Sequence, residues 1–249
     1  METKAVIFRF YEELNDFLPV ARQKTDFSYN FFGKPTVKDC IEAVGIPHTE
    51  VDLILVNGNS VSFDYHLEGG EHVSVYPVFE SLDISPVIQL RPHPLRQSKF
   101  ICDVHLGKLA RQLRMLGFDV YFEKNIDDIG IIERAQKEHR IILTRDQGLL
   151  KRKEVTHGYW VRYTEVRHQL PEICRRFDLH SRIKPFTICM VCNSEIAEVK
   201  KEDIKANIPQ RVHNYFDQFY ECLGCHKIYW KGSHYLKMEH AVEKLLHSI

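Results

Sequence analysis

Lys99-Phe100-Ile101-Cys102-Asp103-Val104-His105-Leu106-Gly107-Lys108-Leu109-Ala110-Arg111-Gln112-Leu113-Arg114-Met115-Leu116-Gly117 is the stretch whose reading decides the fold. Phe100-Ile101-Cys102 is a short apolar run ending at an acid, which reads as a buried strand. Leu106, Leu109, Ala110, Leu113 and Leu116 then recur at helical spacing, and Gly117 stops the helix. The alternation continues downstream. Val120-Tyr121-Phe122 reads as a second strand, Asp128 as the N-cap of a helix through Ile132, Ala135 and Glu138, and Ile141-Ile142-Leu143 as a third strand ending at Thr144-Arg145-Asp146. A strand near Tyr159–Val161 and a helix from about Val166 to Phe177 follow. Strands alternating with helices predict a mostly parallel sheet covered on both faces, so residues 99–180 are expected to form an α/β domain.

In an open parallel sheet, ligands bind at the carboxyl ends of the strands. Asp103 and Asp146 each follow an apolar strand directly, so both are expected at one sheet edge, with Asp128 beside them. Three carboxylates brought together repel one another unless a cation sits between them. Hard oxygen ligands suit Mg²⁺ or Mn²⁺, ions that activate water and stabilise the phosphate in phosphodiester hydrolysis. Taken singly, an Asp after a strand is more often a cap or a solvated turn residue, and that reading stays open here.

Further along come two C-x-x-C doublets, Cys189-Met190-Val191-Cys192 and Cys222-Leu223-Gly224-Cys225, with 29 residues between them. Two such knuckles present four thiolates to one tetrahedral Zn²⁺, so residues 181–249 are expected to form a structural zinc ribbon without chemistry of its own. Cys40, Cys102 and Cys174 stand alone, a usage that suits a reducing cytoplasm better than a disulfide framework. The formal charge is zero, with 34 Lys plus Arg against 34 Asp plus Glu, so any nucleic-acid site must be a local patch. No run approaches the roughly 18 apolar residues of a membrane span, and Met1–Lys4 leads into a strand-like run rather than a signal peptide.

Residues 1–85 read as a small β-rich unit. Ala5–Phe10, Phe27–Phe31, Asp52–Val56 and His72–Val78 are expected strands, Val37–Val44 a helix, and Asn57-Gly58 and Gly69-Gly70 turns. That order is the order of a β-grasp, or ubiquitin-like, domain. Residues 86–98, with Pro86, Pro92 and Pro94, read as an extended linker.

Val56-Asn57-Gly58-Asn59-Ser60-Val61 and Leu67-Glu68-Gly69-Gly70-Glu71-His72-Val73-Ser74-Val75-Tyr76-Pro77 resemble the ThiS/MoaD sulfur carriers. Those carriers act through a free C-terminal Gly-Gly, whereas here the chain runs on, so a β-grasp module without carrier chemistry is expected. The run from Asp103 to Asp119 and the run Arg140-Ile141-Ile142-Leu143-Thr144-Arg145-Asp146-Gln147-Gly148-Leu149-Leu150 resemble the PIN-fold RNase family of the Mut-seven C-terminal type. The cysteine ribbon ending in Tyr229-Trp230-Lys231-Gly232-Ser233-His234 is similar to that family's third block.

The resemblance implies a metal-dependent ribonuclease with RNA as substrate, structural Zn²⁺ and catalytic Mg²⁺ or Mn²⁺. It makes Asp103 and Asp146 the first and third acids and Asp128 the second, with Asp127 as the near alternative to Asp128. Glu165 is the downstream carboxylate considered as a fourth. Two positions depart from the family: Glu221 stands where Pro is usual, and His226 stands where Gly is usual, at a left-handed backbone position that charges His a conformational cost.

Lys108, Arg111 and Arg114, spaced i, i+3, i+6, are candidate RNA contacts together with Arg145. Lys151-Arg152-Lys153 is either a further contact or a basic turn, and His105 reads as a helix-start residue. Tyr229, Trp230 and His234 either stack on bases or pack the ribbon. Two other functions stand beside the nuclease: a non-catalytic RNA- or ribosome-binding module, and a ubiquitin-like adaptor that docks a protein partner. Either way the protein is expected in the cytoplasm, away from membranes.

Overall fold

A computed structural model describes residues 3–77, 90 and 98–248, and the chain divides into two units, 1–96 with 146–160, and 97–145 with 161–249. In the first unit, β1 (Lys4–Phe10) turns Val6, Phe8 and Phe10 inward at the two-residue period of a half-buried strand. It pairs antiparallel with β2 (Phe27–Phe31), Lys4 opposite Phe31. The helix α1 (Val37–Val44) starts at a capping box: Thr36 Oγ1 accepts from Asp39 N and Asp39 Oδ2 accepts from Thr36 N, both at 3.1 Å. It closes on Gly45 at φ 121°.

β3 (Val51–Val56), β4 (Asn59–Ser60) and β5 (His72–Pro77) complete a sheet in the order β2-β1-β5-β3-β4, with β1 and β5 parallel at its centre. Phe8, Phe10, Ile41, Ile54 and Leu67 fill the core. This is the β-grasp arrangement expected from the sequence. Gly70 lies in an internal turn pinned by its own N–H to Ala5 O at 2.7 Å and by the Glu71 carboxylate, which accepts from Glu68 N and Gly69 N at 2.7 Å. Val78 and the expected linker, apart from Leu90 and Ser98, lie outside the described residues.

The second unit opens with β6 (Phe100–Cys102), wholly buried. The helix α2 (Gly107–Met115), the strand β7 (Val120–Tyr121), the helix α3 (Asp128–Glu138) and the strand β8 (Ile141–Thr144) follow. β7, β6 and β8 lie side by side in that order, all parallel, with Cys102 opposite Leu143. The sequence places the cap of α3 one residue late: Asp127 is the cap, its Oδ1 accepting from Gly130 N at 2.9 Å, and Asp128 is the first helical residue. The segment that belongs with the first unit carries α4 (Gln147–Leu150) and β9 (Gly158–Trp160).

Beyond it the second unit resumes with α5 (Val166–Arg176), then β10 (Ile196–Val199), α6 (Gln210–Tyr215), β11 (Phe219–Cys222), β12 (Ile228–Trp230) and α7 (Ser233–Leu246). β10, β11 and β12 form an antiparallel ribbon whose buried centre is Ile204, Ile208 and Phe219. Such a centre is small, so the ribbon leans on the rest of its unit. Lys184 N donates to Leu116 O and Phe186 N to Met115 O, both at 2.9 Å. Gly117 makes that approach possible: its φ is +92°, and a Cβ there would lie 2.2 Å from Lys184 O. Gly117→Ala is therefore expected to cost at least about 2 kcal/mol, read as a lower midpoint in denaturant unfolding. Among the described residues no helix is long and apolar enough to cross a membrane.

Candidate active site and zinc centre

Asp103 leaves the carboxyl end of β6 and is only 5% exposed. Parallel pairing with β8 brings Thr144 and Arg145 to it. Asp103 Oδ1 accepts from His105 N at 2.8 Å, while Oδ2 accepts from Arg145 N at 3.1 Å and from the Thr144 hydroxyl. Three donors thus fix a buried carboxylate in place, as charge-assisted hydrogen bonds do best. The neighbouring Cys102 thiol is pushed far up by burial and then by the Asp103 charge, so it stays protonated and is no nucleophile. His105 sits in the helical turn Val104–Leu106 that Asp103 caps.

Asp146 is exposed and caps α4, its Oδ1 accepting from Gly148 N at 2.7 Å. Asp127 and Asp128 are exposed at the start of α3, and Glu165, at the start of α5, pairs with Arg167 at 2.7 Å. Among the described residues the four cysteines are the one set of three or more candidate ligands whose atoms lie within 4.8 Å of one another. The acids are hard oxygen donors of the kind Mg²⁺ and Mn²⁺ prefer.

The basic candidates divide. Lys108 and Arg111 are exposed on α2. Arg114 is not available to phosphate: it is 5% exposed, with Nε donating to Val120 O at 2.8 Å and one Nη to Val191 O at 2.9 Å. Burial lowers its pKa. Arg145 is likewise engaged, one Nη donating to the carbonyls of Val161, Arg162 and Tyr163 at 3.0, 2.7 and 2.7 Å. Arg114, buried and tied to carbonyls by both Nε and Nη1, has few donors left for a phosphate.

The stretch after Asp146 is held within the first unit by groups the sequence reading did not single out. Lys151 Nζ donates to Glu42 O at 3.1 Å, and His48 bridges Glu42 Oε1 at 2.6 Å and Val155 O at 2.7 Å. Trp160 N donates to Glu50 Oε1 at 2.6 Å, and its ring lies 4.8 Å from that of Phe17. Glu50 is fully buried.

Cys189, Cys192, Cys222 and Cys225 converge as expected, and the four are placed to hold one zinc ion. Gly224 N and Cys225 N each donate to Cys222 Sγ at 3.4 Å, and the Tyr229 hydroxyl lies 3.0 Å from Cys189 Sγ. Burial, followed by its sulfur neighbours, pushes Cys225 up to about 12, so four thiolates coexist here only around a cation. The residue after each knuckle is left-handed: Asn193 at φ 71° and His226 at φ 57°.

Asn193 also fastens the first knuckle. Its Oδ1 accepts from Val120 N at 2.8 Å and its Nδ2 donates to Asp119 Oδ1 at 2.5 Å, while Asp119 also receives Arg140 at 2.7 Å. Burial opposes the Asp119 charge, but the hydrogen bonds from Arg140 and Asn193 outweigh it and hold its pKa below the usual carboxylate range. The sign follows. This contribution is complete above the ordinary carboxylate value of about 3.9 and is lost only as pH falls through the lower folded value.

Residues 98–242 match the Mut7-C RNAse domain family and residues 3–83 match the Mut7-C ubiquitin family, in the order expected from the sequence. Neither a curated protein nor a solved structure matches the chain. The first match spans more than half of the sequence and takes in Asp103, Asp128, Asp146 and all four zinc-site cysteines: the protein belongs to the Mut7-C RNAse domain family.

Proposed function

We propose that the protein is a divalent-metal-dependent ribonuclease that hydrolyses RNA phosphodiester bonds through Asp103, Asp146 and Asp128. Asp103 carries the reading: a buried carboxylate, fixed by three donors at the carboxyl end of a parallel strand, in a chain of an RNase family. When bound, Mg²⁺ or Mn²⁺ would supply an activated water and neutralise developing phosphate charge. The protein's own part is orientation. Thr144, Arg145 N and His105 N keep Asp103 in one geometry, while Asp146 and Asp128 offer exposed carboxylates. Lys108 and Arg111, free on the surface of α2, are the cations that contact RNA phosphates. Hydrolysis on this plan leaves a 3′-hydroxyl and a 5′-phosphate.

The β-grasp unit holds the Asp146–Trp160 segment through Glu42, His48 and Glu50, so we assign it a bracing role in addition to any partner it docks. Incubating single-stranded and structured RNA with the purified protein tests the proposal: cleavage is expected when Mn²⁺ is added and not when divalent ions are omitted. RNA that is bound but never cut under any divalent ion would favour a non-catalytic RNA-binding module instead.

A further inference from the structure

Within the second unit, a cleft of about 710 Å³ opens beside the zinc ribbon, bounded by α2, β10, β11, β12, α7 and the connection 185–190. The volume lies in the range of ligand clefts, roughly 300–1,000 Å³. Its lining is unusual for a chain of zero net charge. Tyr220, Trp230 and Tyr235 are half-buried in it, and Arg111, Lys227, Lys231 and His234 stand exposed around them, against the single acid Glu198. Lys231 Nζ lies 5.8 Å from the centre of the Tyr235 ring. Phe186 completes the wall, its ring 4.7 Å from that of Tyr235, although its backbone sits at φ 62°. That conformation is rare for a bulky residue and is tolerated where the surroundings enforce it.

Aromatic faces interleaved with cations are what unpaired bases and their phosphates require together. A duplex hides its base faces in the stack, so it offers this cleft only phosphates. We propose that the cleft binds single-stranded RNA, with bases stacking on Tyr220, Trp230 and Tyr235 and phosphates meeting Arg111 and Lys231. Continuity supports this occupant. Arg111 lies on α2, the helix that follows the Asp103-capped turn, and Lys108 stands exposed one turn nearer Asp103. A strand seated in the cleft is thereby led toward the acid. The ribbon grips the substrate, and the substrate class is unpaired RNA. The identity of the nucleic acid rests on the ribonuclease reading, whereas the stacking site does not depend on cleavage.

Fluorescence anisotropy in divalent-free buffer tests it, with a labelled single-stranded adenosine oligonucleotide and an RNA duplex of equal length. The single strand is expected to bind at least about tenfold more tightly than the duplex. Tyr235→Ala should weaken the single strand by about five- to 100-fold, and Tyr235→Phe should restore it, since the ring and not the hydroxyl stacks. Arg111→Ala should reduce the salt slope by about 0.7. Zinc content and thermal midpoint, measured for every variant, identify a fold defect, in which case Tyr220→Ala gives the same reading from β11. Equal affinity for duplex and single strand, or wild-type affinity in folded Tyr235→Ala and Tyr220→Ala, would overturn the proposal. Stacking-dependent binding without cleavage would instead overturn the ribonuclease reading alone.

Discussion

Cys189→Ser and Cys222→Ser are each expected to abolish zinc binding and to unfold the ribbon, the largest stability loss of any single change in this chain. Wild-type protein purified without chelator should carry about one zinc per chain. Ile204, Ile208 and Phe219 form too small a core to hold three short strands, and no disulfide replaces it. Structural zinc supplies about 10–16 kcal/mol of apparent binding energy in small modules, which here is folding energy. One lost thiolate removes a quarter of the ligand set and leaves three crowded sulfurs without their cation.

The damage should extend beyond the ribbon. Met190 O and Val191 O of the first knuckle accept from Arg114, and Asn193 accepts from Val120 N and donates to Asp119; Val120 N would lose the partner that Asn193 gives it, while Arg114 would keep Val120 O and Asp119 would keep Arg140. Elemental analysis and hydrogen exchange over residues 185–248 provide the measurement. Zinc-free wild-type protein with a protected ribbon would defeat the assignment.

The parts of the fold that are local in sequence were legible in it. Phe27–Phe31 reads as a strand and Val37–Val44 carries apolar residues at helical spacing, and the structure has those bounds. The requirement for left-handed backbone after the second knuckle was legible as well, and His226 adopts it. What escaped was set by distant partners. Arg114 looks like a surface cation by its spacing from Lys108 and Arg111. Yet it also follows Ala110 by four residues, which puts it on the buried face of α2. Only the convergence of carbonyls from 120 and 190–191 makes a buried guanidinium tolerable there, and no local pattern announces it. Arg145 follows the same logic, with carbonyls from 161–163. The attachment of residues 146–160 to Glu42, His48 and Glu50 spans about a hundred positions and likewise leaves no periodic trace.

The second large effect separates two acids that the sequence treats alike. Asp146→Asn and Asp103→Asn are both expected to abolish RNA cleavage, but only Asp103→Asn should also destabilise the protein. Asp146 is exposed, and its Oδ1 accepts a capping bond from Gly148 N. Asn caps a helix about as well as Asp, so stability should change by less than about 0.5 kcal/mol. Asp103 is buried under three donors on two oxygens. An amide keeps one oxygen and turns an NH₂ toward donors, and although the Thr144 hydroxyl rotates to accept, a backbone N–H does not. One buried donor left unsatisfied, plus the lost charge assistance, amounts to about 2–4 kcal/mol. RNA affinity should be kept or raised in Asp146→Asn, because removing an exposed negative charge lessens repulsion of the phosphate backbone. Asp146→Asn is therefore the decisive variant: inactive, folded and still binding. If it cleaves RNA at the wild-type rate in Mn²⁺, the acids are caps and nothing more, and the chain grips RNA without cutting it.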